Sequence, residues 1–146
     1  MRLTQDASRL IRSARVAHLA TADTDGQPHV IPICFVYDGK NFYSPIDEKP
    51  KRATTLKLKR LRNITANPQV AIVIDHYDED WTKLAYVLVV GRARVTVRGV
   101  SHRNAVKLLR KKYLQYGSMA IDRRPLIVIR PKKVTSWTGG QVISRN

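Results

Sequence analysis

Apolar and polar residues alternate in short runs along most of this chain, a pattern typical of half-buried strands. Turn-forming residues separate the runs, and an Asp-Gly pair follows each of the first two. The predicted strands cover residues 15–22, 28–37, 41–46, 69–75 and 84–97, with one or two more between residues 125 and 137. Because hairpin turns join neighbouring strands, we expect an antiparallel sheet.

Three other segments repeat apolar residues at helical spacing. Residues 3–14 form the first, a basic stretch that ends at Asn67 forms the second, and the third follows Ser101, which we expect to cap it. A chain of 146 residues suits one domain with a hydrophobic core. We therefore predict a mainly β, α+β barrel with six or seven antiparallel strands and two or three helices. Residues 1–138 would form the domain and residues 139–146 a C-terminal tail.

Two residues predict local departures from regular strands. Pro32 lacks a backbone N–H and so indicates a bulge or a sheet edge within the run 28–37. Gly91 indicates a bend or bulge within the long run 84–97.

The chain carries 27 Lys and Arg residues against 11 Asp and Glu, a formal net charge of +16 at pH 7. Such an excess predicts an acidic partner, namely nucleic acid, an anionic membrane or a polyanionic small molecule, although a basic surface also favours solubility. The one cysteine, Cys34, excludes an internal disulfide and is interpreted as a small core residue. No secretory signal or apolar run of transmembrane length is visible, so we expect a cytoplasmic protein without a membrane partner.

The densest charge lies in residues 49–62 (KPKRATTLKLKRLR), which hold seven basic side chains and no acidic one. Lysine and arginine make charge-assisted hydrogen bonds to phosphate and carboxylate, and a helix N-terminus adds unpaired N–H groups. This segment is therefore a candidate anion site. The alternative is a solvated charged face, which the lack of acidic partners at helical spacing disfavours.

The sequence excludes several familiar kinds of site. It has no G-x-G-x-x-G, P-loop or G-x-S-x-G motif. Its four histidines (His18, His29, His76 and His102) lack the spacing of metal ligands, so we predict no metal site. The acidic turn at residues 78–80 is interpreted as solvated rather than as an acid–base pair. These exclusions favour a protein that holds a redox cofactor, which itself performs the reaction.

One ordered set of motifs resembles a known family. The chain reads RVAHLATA, DTDGQ and PHVIPICFVYDGKNFYSPI, then KPKR, and then a helix that ends in RNITANPQV. This order is similar to that of the pyridoxamine 5'-phosphate oxidase-like split β-barrel flavoproteins. It resembles more closely their branch of PPOX-class F-420-dependent oxidoreductases. The resemblance covers residues 7–137.

The resemblance implies a split β-barrel that forms a homodimer with two cofactor sites at the subunit interface. It also implies which residues bind the cofactor. Those beneath the flavin or deazaflavin ring would be His29, Val30, Ile31 and Pro32, and those at the phosphate would be Ser44, Pro45, Lys49, Lys51 and Arg52. The substrate-binding residues of the oxidase itself are not recognisable, so oxidation of pyridoxamine phosphate is not expected.

Coenzyme F-420 is a deazaflavin with a phosphodiester and an oligoglutamate tail. The charge of +16 therefore favours it over FMN, which has only a phosphate. We expect the tail to meet Lys57, Lys59 and Arg60. The predicted function is F-420-dependent hydride transfer to or from a small substrate, with neither the substrate nor the catalytic residues identified from the sequence. An FMN flavoprotein of the same fold is the alternative.

Two further alternatives are a non-enzymatic flavin or haem carrier and a nucleic-acid-binding barrel. Nucleic-acid surfaces usually interleave aromatic and basic residues, and residues 49–62 contain no aromatic residue. Trp81, in the acidic turn, is predicted to be covered by a partner subunit or to stack near the cofactor, whereas Trp137 is expected in the core. Apolar strand surface such as LAYVLVV also favours a dimer.

Overall fold

The computed structural model describes residues 2–46 and 58–140. Within them, seven antiparallel strands form one sheet, and three α-helices pack against it. The helices are α1 (Gln5–Ser13), α2 (Lys59–Ala66) and α3 (Val100–Lys112). The strands are β1 (Ala17–Ala22), β2 (Pro28–Ile33), β3 (Val36–Tyr37), β4 (Phe42–Pro45), β5 (Gln69–His76), β6 (Ala85–Thr96) and β7 (Leu126–Thr138). The predicted α+β architecture is confirmed, with its antiparallel strands and its helices.

The order of strands across the sheet is β2-β1-β5-β6-β7-β4-β3. β2 and β3 follow each other in the chain, yet they form opposite edges of the described sheet. Only Cys34 and Phe35 join them, so the sheet must curl until its two edges almost meet. The result is a split barrel that the chain itself closes at one point. The run 28–37, predicted as one strand, is two strands because the chain leaves one edge and enters the other.

Hairpin turns join β1 to β2 and β3 to β4, as the Asp-Gly pairs predicted. In the first turn the Asp23 carboxylate accepts the backbone N–H groups of Asp25 and Gln27, each at 2.9 Å. Asp38 plays the same part in the second turn. Within the described sheet β2 pairs with β1 alone, so Pro32 lies on an edge strand, as predicted.

The crossover at Cys34 and Phe35 is anchored to the C-terminal end of α3. Tyr113, which directly follows α3, accepts the backbone N–H of Phe35 at its hydroxyl oxygen, 3.1 Å away. The same hydroxyl donates to the carbonyl of Arg15 at 2.9 Å. Lys112 donates from Nζ to the Phe35 carbonyl at 3.0 Å. Because Phe35 is fully buried, these bonds satisfy backbone groups that would otherwise lack partners.

The core has two parts because the first residues of β7 are buried on both faces. Ile127 and Ile129 point into the barrel, where they join apolar residues of β1, β5 and β6. Leu126 and Val128 point the other way and pack beneath α3 with Leu109. α3 therefore supports the wall formed by β4 and β7 from outside the barrel.

None of the described helices is long and apolar enough to cross a bilayer.

α1 confirms the predicted first helix. Thr4 caps it, since its Oγ1 accepts the N–H of Ala7 at 3.1 Å. The predicted cap of the third helix, Ser101, is wrong. α3 begins at Val100, and its N-cap is Gly99 with a φ of 110°, a conformation that glycine adopts without steric cost.

The bulge predicted at Gly91 is present. The register between β6 and β7 shifts between Val90, which pairs with Lys133, and Gly91, which pairs with Pro131. A Cβ atom at Gly91 would lie 2.3 Å from the backbone carbonyl oxygen of Arg130. Only a residue without a side chain therefore lets β7 approach β6 this closely.

Gly91→Ala is expected to lower the free energy of unfolding by roughly 1–3 kcal/mol, because the added Cβ atom meets backbone rather than a movable side chain. Urea denaturation followed by circular dichroism measures the change. Gly117→Ala is the matched control, since nothing lies within 4 Å of its added Cβ atom. Equal stability of the two variants would contradict the close approach of β6 and β7.

Candidate functional site

The split in the barrel contains a cleft of about 380 Å³, within the range of roughly 300–1,000 Å³ typical of small-molecule sites. Edge strand β2 forms one wall and β4 the opposite wall, while α2 and the chain after α3 each contribute a residue. We call this cavity the barrel cleft. Its lining residues are Val16, Ile31, Pro32, Ile33, Cys34, Ser44, Pro45, Arg60 and Tyr116.

The barrel cleft exists because two strand ladders end at different points. The β3–β4 ladder ends at the pair Val36–Tyr43, whereas β2 stays paired with β1 up to Ile33. Ser44 and Pro45 therefore extend beyond β3 and face the gap that β2 leaves. Their other side is paired with β7, which keeps this wall in place.

Five of the residues predicted to bind a cofactor line the barrel cleft. They are Ile31, Pro32, Ser44, Pro45 and Arg60. His29 and Val30 lie on β2 beside the cleft but outside its lining. Trp81 lies in a 3-10 turn before β6, also outside the lining, and is 68% exposed. Lys59, the first residue of α2, lies outside the lining, and its Nζ atom is 3.9 Å from Oδ2 of Asp23. The other four predicted residues, which lie outside the described part of the chain, are Lys49, Lys51, Arg52 and Lys57.

α2 holds Arg60 at the cleft. The apolar side of this helix is buried in the barrel core. Asn63, which is also buried, donates from Nδ2 to Oγ1 of Thr21 in β1 at 3.0 Å. These contacts orient α2 so that the half-buried Arg60 lines the cleft, while the exposed Arg62 does not. The Arg60 guanidinium can therefore donate charge-assisted hydrogen bonds to an anionic group in the cleft.

His29 adds an unused polar group to the strand beside the cleft. It is half-buried and lies directly opposite Thr21 of β1. Its Nδ1 atom is shielded from solvent and has no hydrogen-bond partner among the described residues. Because buried polar atoms normally have partners, this atom is a candidate for contact with a ligand.

Sequence reasoning missed four lining residues, namely Val16, Ile33, Cys34 and Tyr116. Cys34, interpreted from the sequence as a core residue, is half-buried where the chain leaves β2. Tyr116 lies in a 3-10 turn after α3 and is almost fully buried. The position of Cys34 depends on the break between β2 and β3, which the continuous apolar run in the sequence does not reveal. Tyr116 is buried by tertiary packing with residues of α3, which the local sequence does not reveal either.

A poorly hydrated cation lies behind the crossover. The Lys112 Nζ atom is 3.9 Å from the centre of the Phe35 ring, in addition to its bond to the Phe35 carbonyl. Burial, and next the positive charge of Arg15, lower the pKa of Lys112 from 10.5 to about 8. Burial likewise raises the pKa of Tyr113. The surroundings of Phe35 therefore disfavour charge on these two side chains.

The barrel cleft combines apolar walls with a cation. Such a lining suits a flat apolar ring that carries an anionic group. No group of three or more His, Cys, Asp or Glu side chains that could hold a metal ion occurs among residues 2–46 and 58–140. The cleft can therefore bind and orient a cofactor that supplies the reactive chemistry.

Comparison with known proteins identifies relatives of this fold. A family model for pyridoxamine 5'-phosphate oxidase matches residues 3–138. A search of curated proteins finds no match. Solved structures, in contrast, resemble nearly the whole chain.

Three of these structures show how widely the fold is shared. A conserved hypothetical protein from Mycobacterium tuberculosis has a TM-score of 0.76 at 18% sequence identity, over 97% of this chain and 89% of its own. The heme storage protein HutZ from Vibrio cholerae has a TM-score of 0.70 at 16% identity, over 94% and 95%. An F-420 reductase has a TM-score of 0.65 at 25% identity, over 91% and 98%. The names of the last two proteins indicate different ligands, so the shared fold does not by itself select one.

Lys112→Met is expected to change how stability depends on pH. The pKa of Lys112 is about 8 in the native protein, below its ordinary value of 10.5. Between these values the unfolded chain binds a proton that the native protein does not, so rising pH stabilises wild type across this window. Urea denaturation at pH values from about 7 to about 10.5 should therefore show that the free energy of unfolding of wild type rises relative to that of the variant.

Lys111→Met, which removes an exposed charge one residue earlier, is the matched control for the loss of a lysine. A stability difference between wild type and Lys112→Met that stays constant across the window would mean that burial does not perturb this amine.

Proposed function

Because this chain belongs to the pyridoxamine 5'-phosphate oxidase family, we propose that it is an oxidoreductase that uses the deazaflavin coenzyme F-420. The coenzyme, when bound, would exchange hydride with a small substrate. The observation that carries this proposal is the lining of the barrel cleft. Apolar residues of β2 face Ser44 and Pro45 of β4, and Arg60 adds a positive charge to the same lining. The F-420 reductase of the same fold, 25% identical to this chain, supports the choice of coenzyme.

The two walls of the cleft have different roles in this proposal. Ile31 and Pro32 offer an apolar surface to the ring, and His29 lies further along the same strand. Arg60 and the Ser44 hydroxyl offer hydrogen bonds to the phosphodiester. The apolar residues also keep water away from the reacting face of the ring, while the polar ones fix its orientation.

Charge is the reason for preferring F-420 to FMN. β4 and α2 both border the cleft, and the chain between them contains Lys49, Lys51, Arg52 and Lys57. These residues and the net charge of +16 would attract the oligoglutamate tail, which FMN lacks. FMN is the alternative cofactor for the same cleft, since it needs only the ring surface and a phosphate site.

We also infer a homodimer with the cofactor sites at its interface. Four apolar residues form a row across the outer face of the sheet, because Val30 pairs with Ala20, Ala20 with Ala71, and Ala71 with Val90. Val30 is 61% exposed and Val90 is 43% exposed. Pro32 faces the same side as Val30 and also lines the cleft. A partner that covers this face would therefore border the cofactor.

Two aromatic rings extend the same outer face. Trp137 is half-buried, rather than in the core as expected, and stacks on Tyr86 with ring centres 6.0 Å apart. Tyr86 alternates along β6 with the buried Val87, so the stacked pair faces outward. The exposed Trp81, in the 3-10 turn that precedes β6, would be covered by a partner subunit or by the coenzyme.

Arg60→Ala is expected to weaken binding of F-420 roughly ten- to hundredfold, because it removes a charge-assisted hydrogen bond to the coenzyme. Fluorescence titration measures the dissociation constant. Arg62→Ala is the matched control, since it removes the same charge from the same helix outside the cleft lining. Equal weakening in the two variants would mean that Arg60 acts only through overall charge.

The choice of coenzyme is tested by titrating wild type with FMN and with F-420 of defined tail lengths, at low and at high salt. F-420 should bind more tightly than FMN and lose affinity as its tail is shortened. Its binding should also depend more steeply on salt, because exposed charge pairs are screened beyond about 8–10 Å. Tighter binding of FMN would reassign the protein to the FMN-dependent flavoproteins.

Val30→Glu is expected to shift a dimer toward monomer, because burying an unpaired carboxylate in an apolar interface is costly. Light scattering coupled to size-exclusion chromatography measures the mass. Val97→Glu is the matched control, since this valine is 58% exposed but lies beyond the end of β6. A monomer mass for wild type at micromolar concentration, with cofactor present, would refute the dimer.

A further inference from the structure

A second concavity, of about 550 Å³, lies where the β3–β4 turn meets β6 and β7. Four cationic residues border it, and we call them the arginine cluster: Lys40, Arg92, Arg94 and Arg130. Among the described residues, the lining of this concavity and the barrel cleft have no member in common. The arginine cluster is therefore a separate feature of the surface.

Just beyond the bulge in β6, two of these arginines are paired across neighbouring strands. After the register shift at Gly91, Arg92 lies directly opposite Arg130 in the β6–β7 ladder. Arg94 is two residues further along β6, so its side chain leaves the same face of the strand. Like charges directly opposite each other destabilise an antiparallel pair. The fold therefore carries a local electrostatic cost at this place.

The described part of the chain contains no ion pair that offsets this repulsion. Its salt bridges are Arg9–Asp6, Lys59–Asp23, His76–Asp78 and Arg110–Asp122. None of them involves the arginine cluster, and the described lining of the concavity includes no Asp or Glu. All four cluster residues are exposed, so they are accessible to an anion from solvent.

Asn41 lies in the same lining, next to Lys40. Its Oδ1 atom is shielded from solvent and has no hydrogen-bond partner among residues 2–46 and 58–140. Buried polar atoms without partners are uncommon in native proteins. This oxygen can only accept a hydrogen bond, so it would contact a donor group of a ligand, such as a hydroxyl, and the four cations alone supply the attraction for an anion.

We propose that the arginine cluster binds a small compound that carries a diphosphate or a longer polyphosphate group. Guanidinium groups donate paired hydrogen bonds to phosphate oxygens, and several cations around one concavity match several charges on one compact ligand. Binding would also relieve the repulsion between Arg92 and Arg130. This site is additional to the proposed cofactor function and does not rest on it.

The lining favours a small ligand over single-stranded nucleic acid. Surfaces that bind single strands usually combine cations with aromatic side chains that stack on the bases. The described lining has no aromatic residue, and its four cations border a single concavity. A compact polyphosphate therefore fits the arrangement better than an extended strand.

Isothermal titration calorimetry with inorganic pyrophosphate and with inorganic phosphate tests the proposal on the full chain. Pyrophosphate should bind more tightly than phosphate. Arg92→Ala and Arg130→Ala should each weaken pyrophosphate binding roughly ten- to hundredfold. Arg92→Lys should weaken it less, because it keeps the charge and loses only the fork of donors. Arg103→Ala, exposed on α3 and outside the lining, should leave it unchanged.

Thermal unfolding separates ligand binding from a structural role of the cluster. Pyrophosphate should raise the Tm of wild type, because a ligand that binds only the native state stabilises it. It should not raise the Tm of Arg130→Ala. Without pyrophosphate, Arg130→Ala should be at least as stable as wild type, because it removes one member of the like-charge pair.

Pyrophosphate affinity that is the same in wild type, Arg92→Ala and Arg130→Ala would overturn the proposal. Tighter binding of a single-stranded oligonucleotide than of pyrophosphate, lost in the same variants, would overturn it in favour of a nucleic-acid surface. Loss of F-420 affinity in these variants would instead assign the cluster to the coenzyme. If wild type binds pyrophosphate but not F-420, the polyphosphate site is supported and the proposed function is refuted.

Discussion

The fold depends on one short connection, because the chain passes from one edge of the sheet to the other in the two residues Cys34 and Phe35. An open sheet of seven strands twists but need not close. Three peptide steps, from the last residue of β2 to the first of β3, span at most roughly 10 Å. The connection therefore forces the curvature of the whole sheet. Tyr113 and Lys112 hold its backbone, so α3 fixes the point of closure.

The barrel cleft is a consequence of the same connection. Two edges that are tied at one point, and not hydrogen-bonded along their length, leave a gap between β2 and β4. The tie keeps that gap narrow, and α2, fixed by the bond between Asn63 and Thr21, borders it. A binding cleft thus arises from an incomplete ladder, and few side chains are needed to shape it. The apolar lining follows because both strands also belong to the core.

Features determined by sequence neighbours could be predicted, whereas features determined by distant contacts could not. The Asp-Gly turns and the Gly91 bulge depend on local backbone geometry, and both were recognised from the sequence. The break at residues 34–35 was missed because the run PHVIPICFVY is apolar throughout, and only the pairing of its two halves with different strands divides it.

The same distinction applies to the sites. Ile31, Pro32, Ser44 and Pro45 were selected because their motifs resemble those of a family, and Arg60 because of local charge; the structure brings all five to one cleft. Cys34 and Tyr116 reach that cleft only through tertiary packing. The opposition of two arginines across β6 and β7 depends on a shift of one residue in strand register, which a single sequence does not specify.

The prolines of β2 have a consequence for how molecules of this protein meet. Alternate residues of an edge strand direct their N–H groups away from the sheet. Pro28, Val30 and Pro32 are two residues apart along β2, so their backbone groups point in the same direction. Since proline has no N–H, the ladder accommodates it where that group would point outward. Of these three residues, only Val30 then has an N–H group that can donate a hydrogen bond from the open edge. A strand from another molecule would gain too few hydrogen bonds to extend the sheet there, which protects this edge against strand-by-strand aggregation.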